Sequence, residues 1–352
     1  MYSNTELPDT LIDSPDFHIF IIIILLVKYS NSLVFKLLPF EQMMKIKIKS
    51  TVEFEKIKDF NNDPIAITRI RIGLQQSLDS EERDKKLLIK QVEQYSQDIE
   101  SLFIDVVKTR HLPLKSTPLF SWQINSEPIT SSCWQVERIV PKVLLAHLFL
   151  ESGHALLPDY KLASANYAKA MQMHEQINQN LESWKWKNSD QNHPIFQCAW
   201  HNSCIAHLQC LQHMAMLSVG IGKHLPAKTL FTVAERAVKS SVCSIAHWTS
   251  EYEVENTLPA CQAMQLYYSS KLLWDDSKYG NSIFRLQQLN NSKFTEKTRF
   301  DAINNEIEKV GLLLSENQRI NNGAYFDTVE ASTEPLLTPL ELIRPTQIIS
   351  VE

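Results

Sequence analysis

The sequence predicts a mostly α-helical protein with a small β-hairpin or sheet near its N-terminus. The chain has 352 residues but only 7 glycines, whereas nucleotide-binding α/β folds and all-β folds need glycine at turns and phosphate loops. Over long segments, apolar residues recur at intervals of three and four, the period of an amphipathic helix. The segment KIKIKSTVEFEKI (45–57) instead alternates apolar and charged residues, which is typical of a strand.

Composition and motifs exclude several classes of function. The net charge is −5 and no basic, aromatic-interleaved tract occurs, so we expect no nucleic-acid partner. The chain contains no glycine-rich phosphate loop, no dinucleotide-binding fingerprint and no G-x-S-x-G nucleophile motif. Six cysteines without C-x-x-C spacing indicate a reducing compartment and a cytoplasmic protein.

The first 43 residues differ from the rest of the chain. Their apolar run, residues 19–27, is shorter than the roughly 20 residues that a spanning helix needs. It also lacks the basic start and small-residue cleavage site of a signal peptide. We interpret 1–43 as an uncertain N-terminal extension, either disordered or an artefact of the assigned start, with at most peripheral membrane association. No clean linker divides residues 44–350, which are predicted to form one elongated domain.

Within this domain the periodicity predicts seven to nine helices in antiparallel pairs. Pro64 starts the first, prolines mark a loop around LFSWQINSEPITSS (119–132), and Ser131 and Ser132 are candidate caps for the next helix. Pro141 is expected to kink that helix or to start a new one. The later helices are predicted within 159–187, twice within 193–238 with a break at 220–226, and at 258–274, 277–291 and 298–318.

The most conspicuous motif is a ladder of six potential metal ligands at intervals of three: Cys198, His201, Cys204, His207, Cys210 and His213. Three residues on a helix turn by about 300°, so successive members drift by about 60° and at most two neighbours share a face. A tetrahedral zinc site would need further ligands, such as Cys133, Cys243 or His247. A metal-stabilised or enzymatic Cys/His domain stays an alternative. The residues favour buried packing, with no metal, no cofactor and no catalytic residue.

Several segments, in this order, resemble the Bro domain family of ESCRT-associated adaptors, which includes Alix, BROX and rhophilin. After the N-terminal strand, the segments are LFSWQ (119–123), SSCWQVERIVPKVLLAHLFL (131–150), YAKAMQMHEQI (167–177) with WKWK (184–187), KYGNSIFRLQQL (278–289) and NNGAYFDTV (321–329) with PLLTPLELIRP (335–345). KYGNSIFRLQQL is the most specific match. The resemblance implies a single Bro domain, closest in layout to BROX, with a boomerang-like, tetratricopeptide-like helical fold.

The resemblance also implies a function. Family members bind a C-terminal amphipathic helix of an ESCRT-III subunit of the charged multivesicular body type, in a groove that receives apolar anchors. We therefore expect a monomeric, non-enzymatic adaptor in endosomal sorting and membrane remodelling, cytoplasmic and recruited to endosomal or other membranes. A rhophilin-like signalling scaffold without ESCRT-III binding is the alternative.

Residue-by-residue transfer locates the expected groove on two helices. With Gln212 and the run AERA (234–237) as reference points, the family's three apolar contact positions fall at Ala215, Lys228 and Thr232. A small residue, a cation and a hydroxyl thus stand where Alix-type members carry large apolar groups. Met214, Met216 and Leu225 are the predicted replacements for the missing apolar surface.

Overall fold

The computed structural model describes residues 46–49, 63–80, 84–109, 120–124, 127–131, 133–183, 193–245, 254–292 and 297–330. All of them belong to the unit Pro39–Glu352. The predictions for residues 1–43 and for the chain beyond 330 lie outside the described residues, and the domain boundaries at 44 and 350 stay predictions.

Ten α-helices lie in the described residues, and they are numbered α1 to α10 in chain order. They are Pro64–Asp79, Lys85–Thr109, Trp134–Ala155, Tyr160–Glu182, Cys198–Gly222, Ala227–Ile245, Val254–Asp275, Tyr279–Asn291, Asp301–Glu308 and Val310–Ile320. A 3₁₀ turn, Pro194–Phe196, precedes α5, and a π-helical turn, Asn321–Tyr325, follows α10. The predicted mostly α-helical class is confirmed.

The number of helices exceeds the prediction because the segment 298–318 forms two helices. At the end of α9 the Lys309 N–H donates to the Glu306 carbonyl at 3.1 Å, an i to i−3 bond that tightens the last turn and interrupts the α-helical ladder. Lys309 keeps helical backbone angles, so the apolar period continues across the break.

The small sheet has three antiparallel strands in the order β1 (Ile46–Ile48), β2 (Phe120–Ile124) and β3 (Glu127–Ser131). The prediction of a loop at 119–132 is therefore wrong, because this segment supplies a β-hairpin. The alternating side chains of Phe120, Trp122 and Ile124 are buried, which is the period-2 pattern of a half-buried strand. Pro128 lies on β3, an edge strand in the described sheet, where a missing N–H costs little.

Helix α3 forms much of the core. It runs through Pro141 without a break and buries most of its residues on all sides, so this proline does not start a new helix. Cys133 is its N-cap and makes no side-chain capping bond. Ser131 belongs to β3, which corrects the predicted cap, and Ser132 lies outside the described residues.

The helices that position the candidate site pack as neighbours in chain order, from α3 through α8. Small residues permit close approach: a Cβ on Gly153 of α3 would lie 2.5 Å from a ring carbon of Tyr167 on α4. Among the described helices, α5 is long and apolar enough to cross a membrane, but most of that apolar stretch is buried inside the fold. A core helix of this kind needs apolar residues on nearly all faces.

Candidate partner-binding groove

Accessible side chains follow one line along α5. The line includes Ile205, Gln209, Gln212, Met216 and Val219, at alternating intervals of four and three residues. Met216 is 47% exposed and the other four are half-buried. This spacing keeps the five residues on one helix face, in the repeat that helices use to contact another helix. We call these five residues the α5 strip.

Helix α4 flanks the α5 strip on one side. The amide of Asn178 on α4 donates to the Asn202 side-chain oxygen at 2.7 Å, close to the first turns of α5. Deeper in the same contact, Nδ1 of His174 and Nδ1 of His201 lie 2.8 Å apart and both rings are fully buried. These contacts hold the N-terminal half of α5 against α4.

Helix α6 flanks the strip on the other side. Nδ1 of His213 lies 3.4 Å from the Ser240 hydroxyl. Near the turn between α5 and α6, a Cβ on Gly220 would lie 2.7 Å from the Leu230 side chain and 3.3 Å from that of Leu225. The absence of a side chain at Gly220 therefore lets the two helices meet closely. The α5 strip is therefore the accessible part of α5 beside its contacts with α4 and α6.

The structure divides the predicted groove residues into three groups. Gln212 and Met216 belong to the α5 strip, and Leu225 lies in the adjoining turn with 40% exposure. Lys228 and Thr232 are exposed on α6, where the Thr232 hydroxyl donates to the Lys228 carbonyl at 3.0 Å.

Met214 and Ala215 form the third group, because their side chains are 2% and 0% exposed. They support α5 from the core and offer no surface to a partner. Of the three candidates for the first contact position, Ala215, Met214 and Met216, only Met216 is therefore accessible in the described structure.

Four further residues of this region were not predicted from the sequence. Ile205, Gln209 and Val219 complete the α5 strip, and Arg236 is exposed on α6. The alternation of four and three residues from Ile205 to Val219 is present in the sequence. The Cys/His ladder runs along the same helix at a competing interval of three residues, and this interval masks the alternation.

Exposed positive charge lies along α6. Lys228 and Arg236 are exposed, and neither has an ion pair within the described residues. Lys239 is 3.6 Å from Glu235 one turn earlier. Partial burial and the charge of Arg236 lower the pKa of His213, so Arg236 acts electrostatically on the side of α5 that adjoins the strip.

The Cys/His ladder turns around α5, so its members contact different neighbouring helices. The ring of His201 contacts His174 of α4, and its Nε2 lies 2.8 Å from the Ile195 carbonyl. The Cys210 sulfur lies 3.7 Å from the Cys261 sulfur of α7. Burial lowers the pKa of His201 to about 4, as expected for an imidazole held neutral in the core.

Within the described residues, no group of three or more His, Cys, Asp or Glu side chains is arranged to hold a metal ion. The His174–His201 pair offers two nitrogen ligands, whereas a structural zinc site needs four ligands. His247, one of the predicted supplementary ligands, lies outside the described residues.

Sequence comparison gives no match to a protein-family model and no match to a curated protein. Structural comparison does. An ALIX BRO1 domain in complex with CHMP4C has a TM-score of 0.64 at 14% identity, covering 83% of this chain and 90% of that one. A structure described as the basis for endosomal targeting by the Bro1 domain has a TM-score of 0.58 at 18% identity, covering 76% of this chain and 78% of that one. The fold is a Bro1 fold.

A third similar structure is ALIX in complex with the SIVmac239 PYKEVTEDL late domain. Its TM-score is 0.64 at 12% identity, and the match covers 78% of this chain. It covers 42% of the ALIX chain, so the present chain spans less than half of that longer protein. At these identities the similarity concerns the fold, and the function has to be argued from the site.

Proposed function

We propose that this protein is a non-enzymatic adaptor that binds the C-terminal amphipathic helix of an ESCRT-III subunit. The observation that carries the proposal is the α5 strip, with its spacing of four and three residues on a Bro1 fold. An amphipathic helix docks on such a surface through anchors at i, i+3/i+4 and i+7. The similar ALIX BRO1 domain was solved in complex with CHMP4C, which supports a partner of this class.

The proposal includes a cellular setting. A monomeric adaptor of this kind acts in the cytoplasm and is recruited to endosomal or other membranes through its partner during sorting and remodelling. A layout closest to BROX stays a prediction from the sequence motifs.

Binding is tested by titrating a labelled CHMP4C C-terminal helix with the full chain and measuring fluorescence anisotropy. We expect saturable binding, and Met216→Glu is expected to weaken it by about tenfold or more, because a charge replaces the most exposed apolar group of the strip. Leu312→Glu is the matched control, since Leu312 is 76% exposed on α10. Absence of binding at high micromolar concentration would refute this partner.

One observation favours a signalling scaffold without ESCRT-III binding as a second candidate. Lys228 and Thr232, the residues at two expected apolar contact positions, are exposed and polar on α6. The same titration separates the two candidates. Elemental analysis of the purified protein tests the metal-stabilised alternative, which one stoichiometric zinc per chain would support.

A further inference from the structure

We infer that the partner is an acidic amphipathic helix whose carboxylates face Lys228 and Arg236, while its apolar side lies on the α5 strip. This inference rests on the proposed function and adds the charge of the partner and the residues that select it. Its basis is the distribution of charge and exposure on α6.

The segment from Lys223 to Lys239 is strongly basic within an acidic protein. It contains four Lys or Arg residues and one Glu, whereas the whole chain has a net charge of −5. Lys228, Thr232 and Arg236 follow one another at intervals of four residues and are all exposed, so they lie on one face of α6. The basic character is therefore concentrated on one exposed face of α6, the helix that packs beside the α5 strip.

The two cations define a spacing for the partner. Residues 228 and 236 are separated by eight positions, which is about 12 Å along a helix. A helix lying alongside α6 would meet both with carboxylates about two turns apart, at i and i+7 or i+8. Both side chains are exposed, and neither makes an ion pair within the described part of the chain.

The chemistry of the α5 strip favours a helix over an anionic membrane. The strip adjoins the contacts of α5 with α4 and α6, and two of its five side chains are the amides Gln209 and Gln212. Such a surface can hydrogen-bond a partner's polar edge while Met216 takes an apolar anchor. A membrane contact instead needs a protruding surface with inserted apolar or aromatic groups and several basic residues.

Exposed charges of this type act mainly on association rate and on partner choice, so salt dependence is the informative measurement. Two probes are used with the full chain: the CHMP4C C-terminal helix, and a copy in which every Asp and Glu is replaced by Asn and Gln. Affinities are measured at about 50 and about 300 mM NaCl, which shortens the screening length from about 14 to about 6 Å. We expect the native helix to bind more tightly at low salt, and the neutralised copy to bind equally at both.

Charge reversal tests whether Lys228 and Arg236 contact the acidic side chains of the partner. Lys228→Glu and Arg236→Glu are each expected to weaken binding of the native helix at low salt by about three- to tenfold, and to leave binding of the neutralised copy unchanged. Lys90→Glu, at an exposed position on α2, is the control and should affect neither probe.

The other possible results separate a failure of the acidic-partner inference from a failure of the proposed function. Equal affinity for both helices at both salt concentrations would refute the acidic-partner inference and leave the proposed function standing. Binding of neither helix would refute both. Sedimentation of the protein with phosphatidylserine vesicles, abolished by Lys228→Glu, would assign these cations to a membrane and overturn the inference.

Discussion

Arg71 donates its Nε–H to Oε1 of Glu137 at 2.7 Å, and the two side chains are 2% and 0% exposed. The Glu137 carboxylate also accepts hydrogen bonds from the hydroxyl of Tyr95 and from the indole N–H of Trp122, the latter at 2.8 Å. Burial and the charge of Glu137 raise the pKa of Tyr95 well above its usual value, so it stays protonated and donates. One carboxylate thus joins α1, α2, β2 and α3.

Glu137→Gln should strongly destabilise the protein. The substitution removes the negative charge while Arg71 stays buried, and breaking a buried pair by removing one partner typically costs about 3–5 kcal/mol. A urea titration followed by tryptophan fluorescence should show a large decrease in the unfolding midpoint.

Glu308→Gln provides the control for this experiment. Glu308 forms an ion pair with Lys297 at 3.3 Å, but both side chains are mostly exposed, and such pairs contribute at most about 1 kcal/mol. Equal midpoint shifts for the two variants would show that Glu137 does not organise the core.

The helical part of the fold could be predicted because apolar periodicity is a local signal. The Glu137 network could not, since a glutamate in an amphipathic helix looks like a solvent-exposed residue until its distant partners are known. The same limit explains the missed β-hairpin. Pro118 and Pro128 suggested a loop, whereas the pairing of β2 with β1 depends on residues more than 70 positions earlier in the chain.

The packing of the two helices that carry the candidate site could be predicted from the sequence, and the exposure of their side chains less well. The two helices around Gln212 and Lys228 do adjoin each other. One residue along a helix rotates the side chain by about 100°, however, so Ala215 is buried while the adjacent Met216 is exposed. Motif-based transfer locates a contact position to within one helical turn. The packing of neighbouring helices then determines which side chain of that turn is exposed.

Acidification should destabilise the protein through His174 and His201. Burial lowers the pKa of His201 to about 4 and, together with the charge of His201, lowers that of His174 well below its usual value. Below about pH 6.5 these histidines bind protons in the unfolded chain but stay neutral in the folded chain. The free energy of unfolding therefore falls as the pH decreases from about 6.5 toward 4. Each histidine contributes up to about 1.4 kcal/mol per pH unit.

Urea midpoints measured from pH 7 to pH 4.5 test this dependence. His201→Gln should reduce the slope, because one buried histidine no longer titrates, while His193 and His213, whose pKa values burial also lowers, keep their contributions. Glu151 does not interfere in this range. A hydrogen bond from His147 and the charge of Lys85 help to lower its pKa to about 2, so its contribution is lost only as the pH falls from about 4.5 toward 2. If His201→Gln left the slope unchanged, the pH dependence of stability would not arise from His201.

The six cysteines should divide into two reactivity classes. Cys204, Cys210 and Cys261 are buried, whereas Cys133, Cys198 and Cys243 are partly exposed. Burial raises the pKa of Cys204 well above its usual value, which suppresses the reactive thiolate. A colorimetric thiol assay on the folded protein should titrate three thiols, and the other three only in denaturant. Rapid modification of all six under native conditions would contradict the buried α5–α7 contact.

Gly280→Ala should detach the segment that follows α10. A Cβ at this position would lie 1.9 Å from the carbonyl oxygen of Thr328, so the segment has to move. The Gly280 N–H currently donates to Asp327 at 3.0 Å, and the ring of Tyr325 stacks on Tyr279 with centroids 3.7 Å apart. We expect the free energy of unfolding to fall by about 1–3 kcal/mol and chymotrypsin to cleave faster next to Tyr325.

Gly73→Ala is the matched control, because it also adds one methyl group to a helical glycine. No atom lies within 4 Å of the new Cβ, and alanine is favoured over glycine inside a helix by about 0.5–1 kcal/mol. This variant should therefore be slightly more stable and equally resistant to chymotrypsin. If Gly280→Ala behaved in the same way, the contact between Gly280 and Thr328 would not hold the segment in place.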